Sequence, residues 1–115
     1  MTVRVEELVG RNCITFEDGQ LIYDLIRPEL LDANSVLLDF SGVEVFASPF
    51  FNASVGQLLR DVKSETLRDL LEFSNLAPNG DQVLRRVIDN AKSYWTDQGM
   101  RARVEAALSE HAKTA

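Results

Sequence analysis

The sequence predicts an α/β domain with a sheet of four to five mostly parallel strands and an antiparallel hairpin at its N-terminal edge. Segments with the apolar pattern of strands alternate along the chain with segments whose apolar residues recur at helical spacing. Such alternation is typical of parallel strands joined by helical crossovers. With 115 residues, the chain has the length of one domain.

The first two strands are predicted near the N-terminus. Val3 and Val5 alternate with polar residues, which indicates a half-buried strand. Gly10 interrupts the pattern, and residues 13–16 can form a second strand that pairs with the first. This pair is the predicted antiparallel hairpin.

A helix is predicted next, with Asp18 as its candidate N-cap. Pro28 lacks an amide donor and clashes with the preceding turn, so we expect a break or kink near Arg27. The apolar residues that recur at helical spacing are Leu21, Ile22, Leu25 and Ile26.

The middle of the chain is predicted to form a strand, a turn, a short apolar stretch and then a helix. Val36–Phe40 is nearly continuously apolar, as in a strand that is covered on both faces. Ser41 and Gly42 turn the chain, and Val45 and Phe46 form the short stretch. Ser48-Pro49 then begins a helix that we expect to end near Val62.

The last part of the chain completes the alternation. Residues 67–73 are compatible with a helix or a strand, and we favour a strand because they follow a helix. Residues 83–95 have the pattern of a strongly amphipathic helix, with Asn79 or Asp81 as candidate cap. Gly99 is a plausible stop, so we divide the chain into a domain, 1–99, and a C-terminal helical extension, 100–115.

The composition restricts the class of partner. Eighteen acidic and twelve basic residues give a formal charge of −6, which argues against nucleic acid and favours a basic protein partner. No apolar segment approaches the roughly 20 residues that span a bilayer, so no membrane association is predicted. Cys13 is the single cysteine, which excludes an intramolecular disulfide and fits the cytoplasm.

The residues needed for common enzyme chemistry are absent from the sequence. The one histidine, His111, lies close to the C-terminus and makes a poor general base. The sequence contains no glycine-rich phosphate loop, and its carboxylates are scattered. We therefore predict a protein that is not an enzyme and that holds no cofactor or metal.

Ser48 has a structural and a functional interpretation. As a helix N-cap, its hydroxyl would accept a hydrogen bond from the amide of Phe50 or Phe51 and contribute about 1 kcal/mol. As a phosphorylation site, it would place about −1.5 to −2 charges at the positive end of a helix, where the fold tolerates them and a partner senses them.

Phe50 and Asp39 are two further candidate site residues. An amphipathic helix cannot bury every aromatic residue there, and Phe50 is the candidate for exposure at an interface unless the hairpin or a loop covers it. Asp39 ends the apolar strand, and we expect it to accept hydrogen bonds from the amide of Gly42 or Val43.

These residues resemble a known family. Asp39-Phe40-Ser41-Gly42-Val43 and Phe46-Ala47-Ser48-Pro49-Phe50-Phe51, followed by Gly56, Asn75 and residues 83–91, are similar to the STAS-like family once known only as a domain of unknown function. More distantly, the chain is similar to the STAS domains of anti-sigma factor antagonists. The resemblance implies a central sheet with helices mainly on one face.

In those antagonists, a serine at the start of a helix is phosphorylated by a partner kinase. The resemblance places that serine at Ser48. The preceding aspartate of the antagonists falls at Ala47, and their following small residues fall at Pro49 and Phe50.

The resulting prediction is a regulatory, signalling-type module that binds another protein. The expected partner is a histidine-kinase-like ATPase or another regulator. The predicted contact or phosphorylation residues are Ser48, Phe50, Phe51, Asn52, Gly42 and Asp39. Two alternatives stay open: a sensor that binds a small molecule or nucleotide, and an oligomerisation domain, such as a homodimer, that uses the segment from Met100.

Overall fold

Short strands and longer helices alternate along the chain. The computed structural model describes residues 1–96. Its strands are β1 (Thr2–Arg4), β2 (Asn12–Cys13), β3 (Val36–Asp39), β4 (Val45–Phe46) and β5 (Leu71–Ser74). Its α-helices are α1 (Val5–Val9), α2 (Phe16–Leu31), α3 (Ser48–Phe51), α4 (Gln57–Asp61), α5 (Ser64–Leu70) and α6 (Pro78–Thr96), and a π-helical segment, Asn52–Gly56, joins α3 to α4.

The strands form two small sheets in which every pairing is parallel. The larger sheet has three strands in the order β1-β3-β5, and Leu38 in its centre is opposite Val3 on one side and Phe73 on the other. The smaller sheet pairs β2 with β4. The alternating α/β architecture and the parallel pairing agree with prediction, whereas the single sheet of four to five strands does not form.

The predicted antiparallel hairpin is wrong. After Arg4 the chain enters α1 instead of continuing as a strand, and Val5 is fully buried as a helical residue. Gly10 ends this helix with a φ of +85°, and the chain then pairs with β4, not with β1. Alternation over so few residues fits one helical turn as well as a strand, so the pattern could not identify the pairing.

Helix α2 differs from prediction at both its start and its middle. The Thr15 side chain, not that of Asp18, caps the helix by accepting from the Asp18 amide at 3.2 Å. The expected break near Arg27 is wrong, because the helix runs through Pro28 to Leu31. Pro28 lies on the exposed side, where water can satisfy the carbonyl that lacks a partner.

The helical run from Ser48 to Asp61 lies in the middle of the core. Four consecutive residues of its π segment, from Ala53 to Gly56, are buried. Helix α2 and helix α6 both pack against this run. A helix that is buried on several sides loses the amphipathic pattern of a surface helix.

The C-terminal elements largely agree with prediction. The ambiguous segment divides into α5 up to Leu70 and β5 from Leu71, so the predicted strand begins later than expected. Helix α6 buries Leu84 and Val87 as predicted, although it begins at Pro78 and so before either candidate cap. The predicted extension, 100–115, lies outside the described residues, and so does the predicted domain limit at Gly99.

Candidate functional site

Ser48 lies on the surface at the first position of the helical run. The preceding residue, Ala47, has φ −136° and ψ 151° and is the N-cap, and its carbonyl accepts the Phe50 amide at 3.2 Å. The predicted capping role of Ser48 is therefore wrong, because Ser48 is already helical and a methyl group occupies the cap position. The exposed Ser48 and Pro49 form the tip of this helix end.

Phe50 and Phe51 are both core residues, so the predicted exposure of Phe50 is wrong. Phe50 is 1% exposed and Phe51 is fully buried. The Phe51 ring stacks on Phe46 at 6.1 Å and lies 6.0 Å from Phe40. The Phe50 ring meets Phe51 edge-on at 5.4 Å, while α2 packs against α3. Neither phenylalanine can contact a partner without unfolding this region.

Other exposed residues lie close to Ser48 in the sequence. Asn52 is exposed and follows Ser48 by four positions, and Val45 is exposed on the strand just before it. The Asn79 amide donates to the Glu44 carbonyl at 3.4 Å, which ties the start of α6 to the residue before β4. We call Val45, Ser48, Pro49 and Asn52 the Ser48 patch. The buried Phe51 side chain anchors the backbone of this patch in the core.

Asn52 also begins a shallow cleft between the helical run and α6. The cleft has a volume of about 190 Å³ and is lined by Asn52, Gly56, Gln57, Arg60 and Ala91. A more apolar cleft of about 260 Å³ lies between α4, α5 and α6, with Val55, Leu59, Leu67 and Ile88 in its wall. Both volumes lie just below the roughly 300–1,000 Å³ that is typical of small-molecule pockets.

Asp39 joins the carboxyl ends of two neighbouring strands. Its Oδ1 accepts from the Ser41 amide at 2.9 Å, from the Ser41 hydroxyl at 2.8 Å and from the Asn75 side-chain amide at 3.0 Å. Asp39 thus accepts from the following turn as predicted, but Ser41 is the donor, and Val43 donates to the Phe40 carbonyl instead. Asn75 has a φ of +55°, a conformation that asparagine tolerates well.

Gly42 is exposed at the outer corner of the same turn, with a φ of +84°. The Glu6 carboxylate lies against Gly42 on the side where any other residue would carry a Cβ atom. The turn therefore needs glycine for its conformation and for its contact with α1. These contacts explain Gly42 and Asp39 structurally, and the two residues do not belong to the Ser48 patch.

The hydrogen bonds to Asp39 lower its pKa. The Asn75 amide makes the largest contribution, followed by the Ser41 amide and hydroxyl, and together they hold the pKa of the Asp39 carboxyl at about 2, below its ordinary value of 3.8. A carboxyl whose pKa is lower in the folded state stabilises the fold above the unfolded pKa. This contribution is lost as the pH falls from about 4 through 2.

We predict that Asp39→Asn lowers the stability of the fold by an amount that depends on pH. The urea midpoint of the variant should lie below that of the wild type at pH 6, and the two should converge as the pH approaches 2. Urea titrations at several pH values measure this difference. Asn75→Gly removes the donor with the largest effect on Asp39 while keeping a residue suited to positive φ. It should reduce the pH-dependent stabilisation that Asp39 provides. A wild-type advantage that is constant with pH would contradict the prediction.

A comparison with protein-family models identifies the family. The model described as STAS-like domain of unknown function (DUF4325) matches residues 18–81. The chain belongs to this family. The matched segment of the STAS-like domain contains Asp39, Asn75 and the whole helical run from Ser48. No curated protein and no solved structure gives a significant match.

The STAS-like domain also contains a polar cluster that sequence reasoning missed. Tyr23 and Arg27 on α2 meet Arg60 and Asp61 on α4. The Asp61 carboxylate accepts from the Tyr23 hydroxyl and, at 3.1 Å, from Arg27 Nε, and Arg60 donates to the Tyr23 oxygen at 2.9 Å. The spacing of four residues between Tyr23 and Arg27 indicated that the two side chains share one helix face. Nothing in the sequence indicated that Asp61 lies beside them.

The hydrogen bonds of this cluster join helices α2 and α4. Burial alone would raise the pKa of the Asp61 carboxyl, but hydrogen bonds from Tyr23, Arg60 and Arg27 outweigh it and lower that pKa. The pKa of Tyr23 is raised, mainly by burial and then by the Asp61 carboxylate. The Tyr23 hydroxyl therefore stays protonated and acts as a donor, so the cluster holds α2 on α4.

Two further observations concern Cys13 and the potential metal ligands among residues 1–96. Cys13 is fully buried, and burial followed by the Asp18 charge raises the pKa of its thiol to about 12, which suppresses the reactive thiolate. Among residues 1–96, no group of three or more His, Cys, Asp or Glu side chains could hold a metal ion. In the same range, no helix combines the length and apolar character required to cross a bilayer.

Proposed function

We propose that this STAS-like domain is a regulatory module that binds a signalling protein through the Ser48 patch. The observation that carries the proposal is the contrast at this helix end. Ser48, Pro49 and Asn52 are exposed, whereas Phe50 and Phe51 are fixed in the core. A rigid surface costs little conformational entropy on binding, which favours recognition.

The proposed partner is a histidine-kinase-like ATPase or a related regulator. This part of the proposal rests on the resemblance to anti-sigma factor antagonists. The Ser48 hydroxyl is exposed at the first position of a helix, so a kinase can reach it and the fold tolerates a phosphate there. A phosphate would place negative charge in the centre of the patch and weaken contact with an apolar or acidic partner surface.

We predict that Ser48→Glu disrupts partner binding. The wild type and the variant serve as baits for affinity purification from cells of the source organism, followed by quantitative mass spectrometry. The wild type should recover a histidine-kinase-like ATPase or related regulator, and the variant should recover at least about tenfold less of it.

Ser93→Glu is the matched control. Ser93 is an exposed serine on α6, so the same substitution adds the same charge away from the patch. The control should recover the partner as the wild type does. Recovery that is unchanged by Ser48→Glu, or lost equally with Ser93→Glu, would count against the Ser48 patch as the binding surface.

A further inference from the structure

The outward face of α2 combines exposed leucines with an unusual charge distribution. Leu21, Leu25 and Leu31 are 46%, 37% and 49% exposed, and the exposed Pro28 lies between the last two. Leu21, Leu25 and Pro28 follow one another at the spacing of four and three residues that places side chains on one helix face. Single exposed leucines are ordinary, but a row along one helix is characteristic of a contact surface.

The opposite side of α2 is already occupied. Ile22, Ile26 and Leu30 are buried against the core. Apolar residues therefore occur on both faces of the helix, and packing within the described residues explains only the inner set. As far as residues 1–96 are concerned, the outer row is exposed to solvent.

All charged residues on the outward side of α2 are acidic. Arg27, the helix's one basic residue, lies on the flank and is paired with Asp61 at 3.1 Å. Asp24 and Glu29 accept hydrogen bonds from the neutral amides of Gln20 and Asn34. Among residues 1–96, none of the carboxylates on α2 and at its C-cap forms an ion pair; three are exposed and two are half-buried, and they are Glu17, Asp18, Asp24, Glu29 and Asp32.

We propose that this face of α2 binds a basic amphipathic helix of another protein. The leucine row would accept the apolar side of such a helix, and the carboxylates on both flanks would pair with its lysines or arginines. The row from Leu21 to Leu31 is about 15 Å long, which corresponds to about three turns of a partner helix.

Charge separates this partner from the other candidates. A second copy of the chain would bring the same carboxylates against each other, since a two-fold interface pairs the same surface with itself. Nucleic acid and anionic lipid surfaces would be repelled for the same reason. The inference shares with the proposed function only the premise that the domain binds proteins, and it concerns a different face.

The test uses a designed probe because the natural partner is unidentified. The probe is a fluorescent 15-residue amphipathic peptide with leucines at helical spacing and lysines on both flanks. A matched peptide keeps the leucines and replaces every lysine with glutamate. Fluorescence anisotropy with the full chain should show binding of the lysine peptide that weakens with salt, and no binding of the glutamate peptide.

Variants of the chain locate the binding face. The double substitution Leu21→Gln with Leu25→Gln should weaken binding at least about tenfold, since it removes two of the three leucines of the row. Leu8→Gln replaces an exposed leucine on α1 and should leave binding unchanged. All of these positions are exposed, and circular dichroism verifies that the variants fold.

Several results would overturn the proposal. They are equal binding of the two peptides, unchanged binding by the Leu21/Leu25 variant, and loss of binding in the Leu8 control. A wild-type dimer in sedimentation that the Leu21/Leu25 variant converts to a monomer would assign the face to a second copy. Ser48→Glu should bind the peptide normally, so failure of the Ser48 proposal leaves this test unaffected.

Discussion

Replacing Phe50 with alanine is expected to lower the free energy of unfolding by about 3–5 kcal/mol. The ring is 1% exposed and packs edge-on against Phe51 at 5.4 Å. Alanine would lose these contacts and leave a cavity between α3 and its neighbours. The surrounding side chains are closely packed and cannot move enough to fill it. Urea unfolding followed by circular dichroism measures the change.

Phe16→Ala is the matched control for this measurement. Phe16 begins α2 and is 49% exposed, so removing its ring should change the free energy of unfolding by less than about 1 kcal/mol. If Phe50→Ala cost no more than Phe16→Ala, Phe50 would be accessible to solvent, as the sequence alone suggested.

The error over Phe50 has a physical cause. Periodicity assigns one buried face to a helix, and two adjacent phenylalanines lie about 100° apart around the helix axis. The helical run from Ser48 is covered on more than one side: Phe51 meets Phe40 and Phe46, while α2 packs against α3. The pattern of one segment contains no information about how many neighbours will cover it.

Other elements were predictable because local chemistry determines them. The apolar run Val36–Phe40 includes β3, Ser48-Pro49 begins a helix, and residues 83–95 lie within α6. Each combines a clear apolar pattern with a local start signal or a length that favours one structure. The parallel pairing of β3 with β5 followed from the alternation of strands and helices.

Strand pairing at the N-terminus was not predictable in the same way. Strands β2 and β4 have two residues each, and their pairing depends on the tertiary contacts that bring Cys13 opposite Phe46. The hydrogen bonds of Asp39 show the same difference between local and long-range contacts. A hydrogen bond from the following turn was predicted because it is local, whereas the bond from Asn75 joins residues far apart in sequence.

The second large effect is expected from Gly19→Ala, which should destabilise the protein by about 2–3 kcal/mol. Alanine normally favours a helix over glycine by about 1 kcal/mol, so propensity alone predicts the opposite sign. Gly19 lies where α2 packs against the helical run from Ser48, and an added methyl group would lie 3.0 Å from the Phe50 carbonyl carbon and 2.8 Å from the Ala53 Cβ. Backbone would have to move to make room.

Gly56→Ala distinguishes this contact from a general effect of removing glycine. Gly56 is also buried in a helical segment, but the nearest atom to an added methyl group is the Phe51 carbonyl oxygen at 3.5 Å, an ordinary contact distance. We expect no loss, or a gain of up to about 1 kcal/mol. Thermal or urea unfolding should therefore show a loss of stability for Gly19→Ala and no loss for Gly56→Ala. Equal effects would mean that α2 does not approach the helical run as closely as Gly19 indicates, and the burial of Phe50 would lose its explanation.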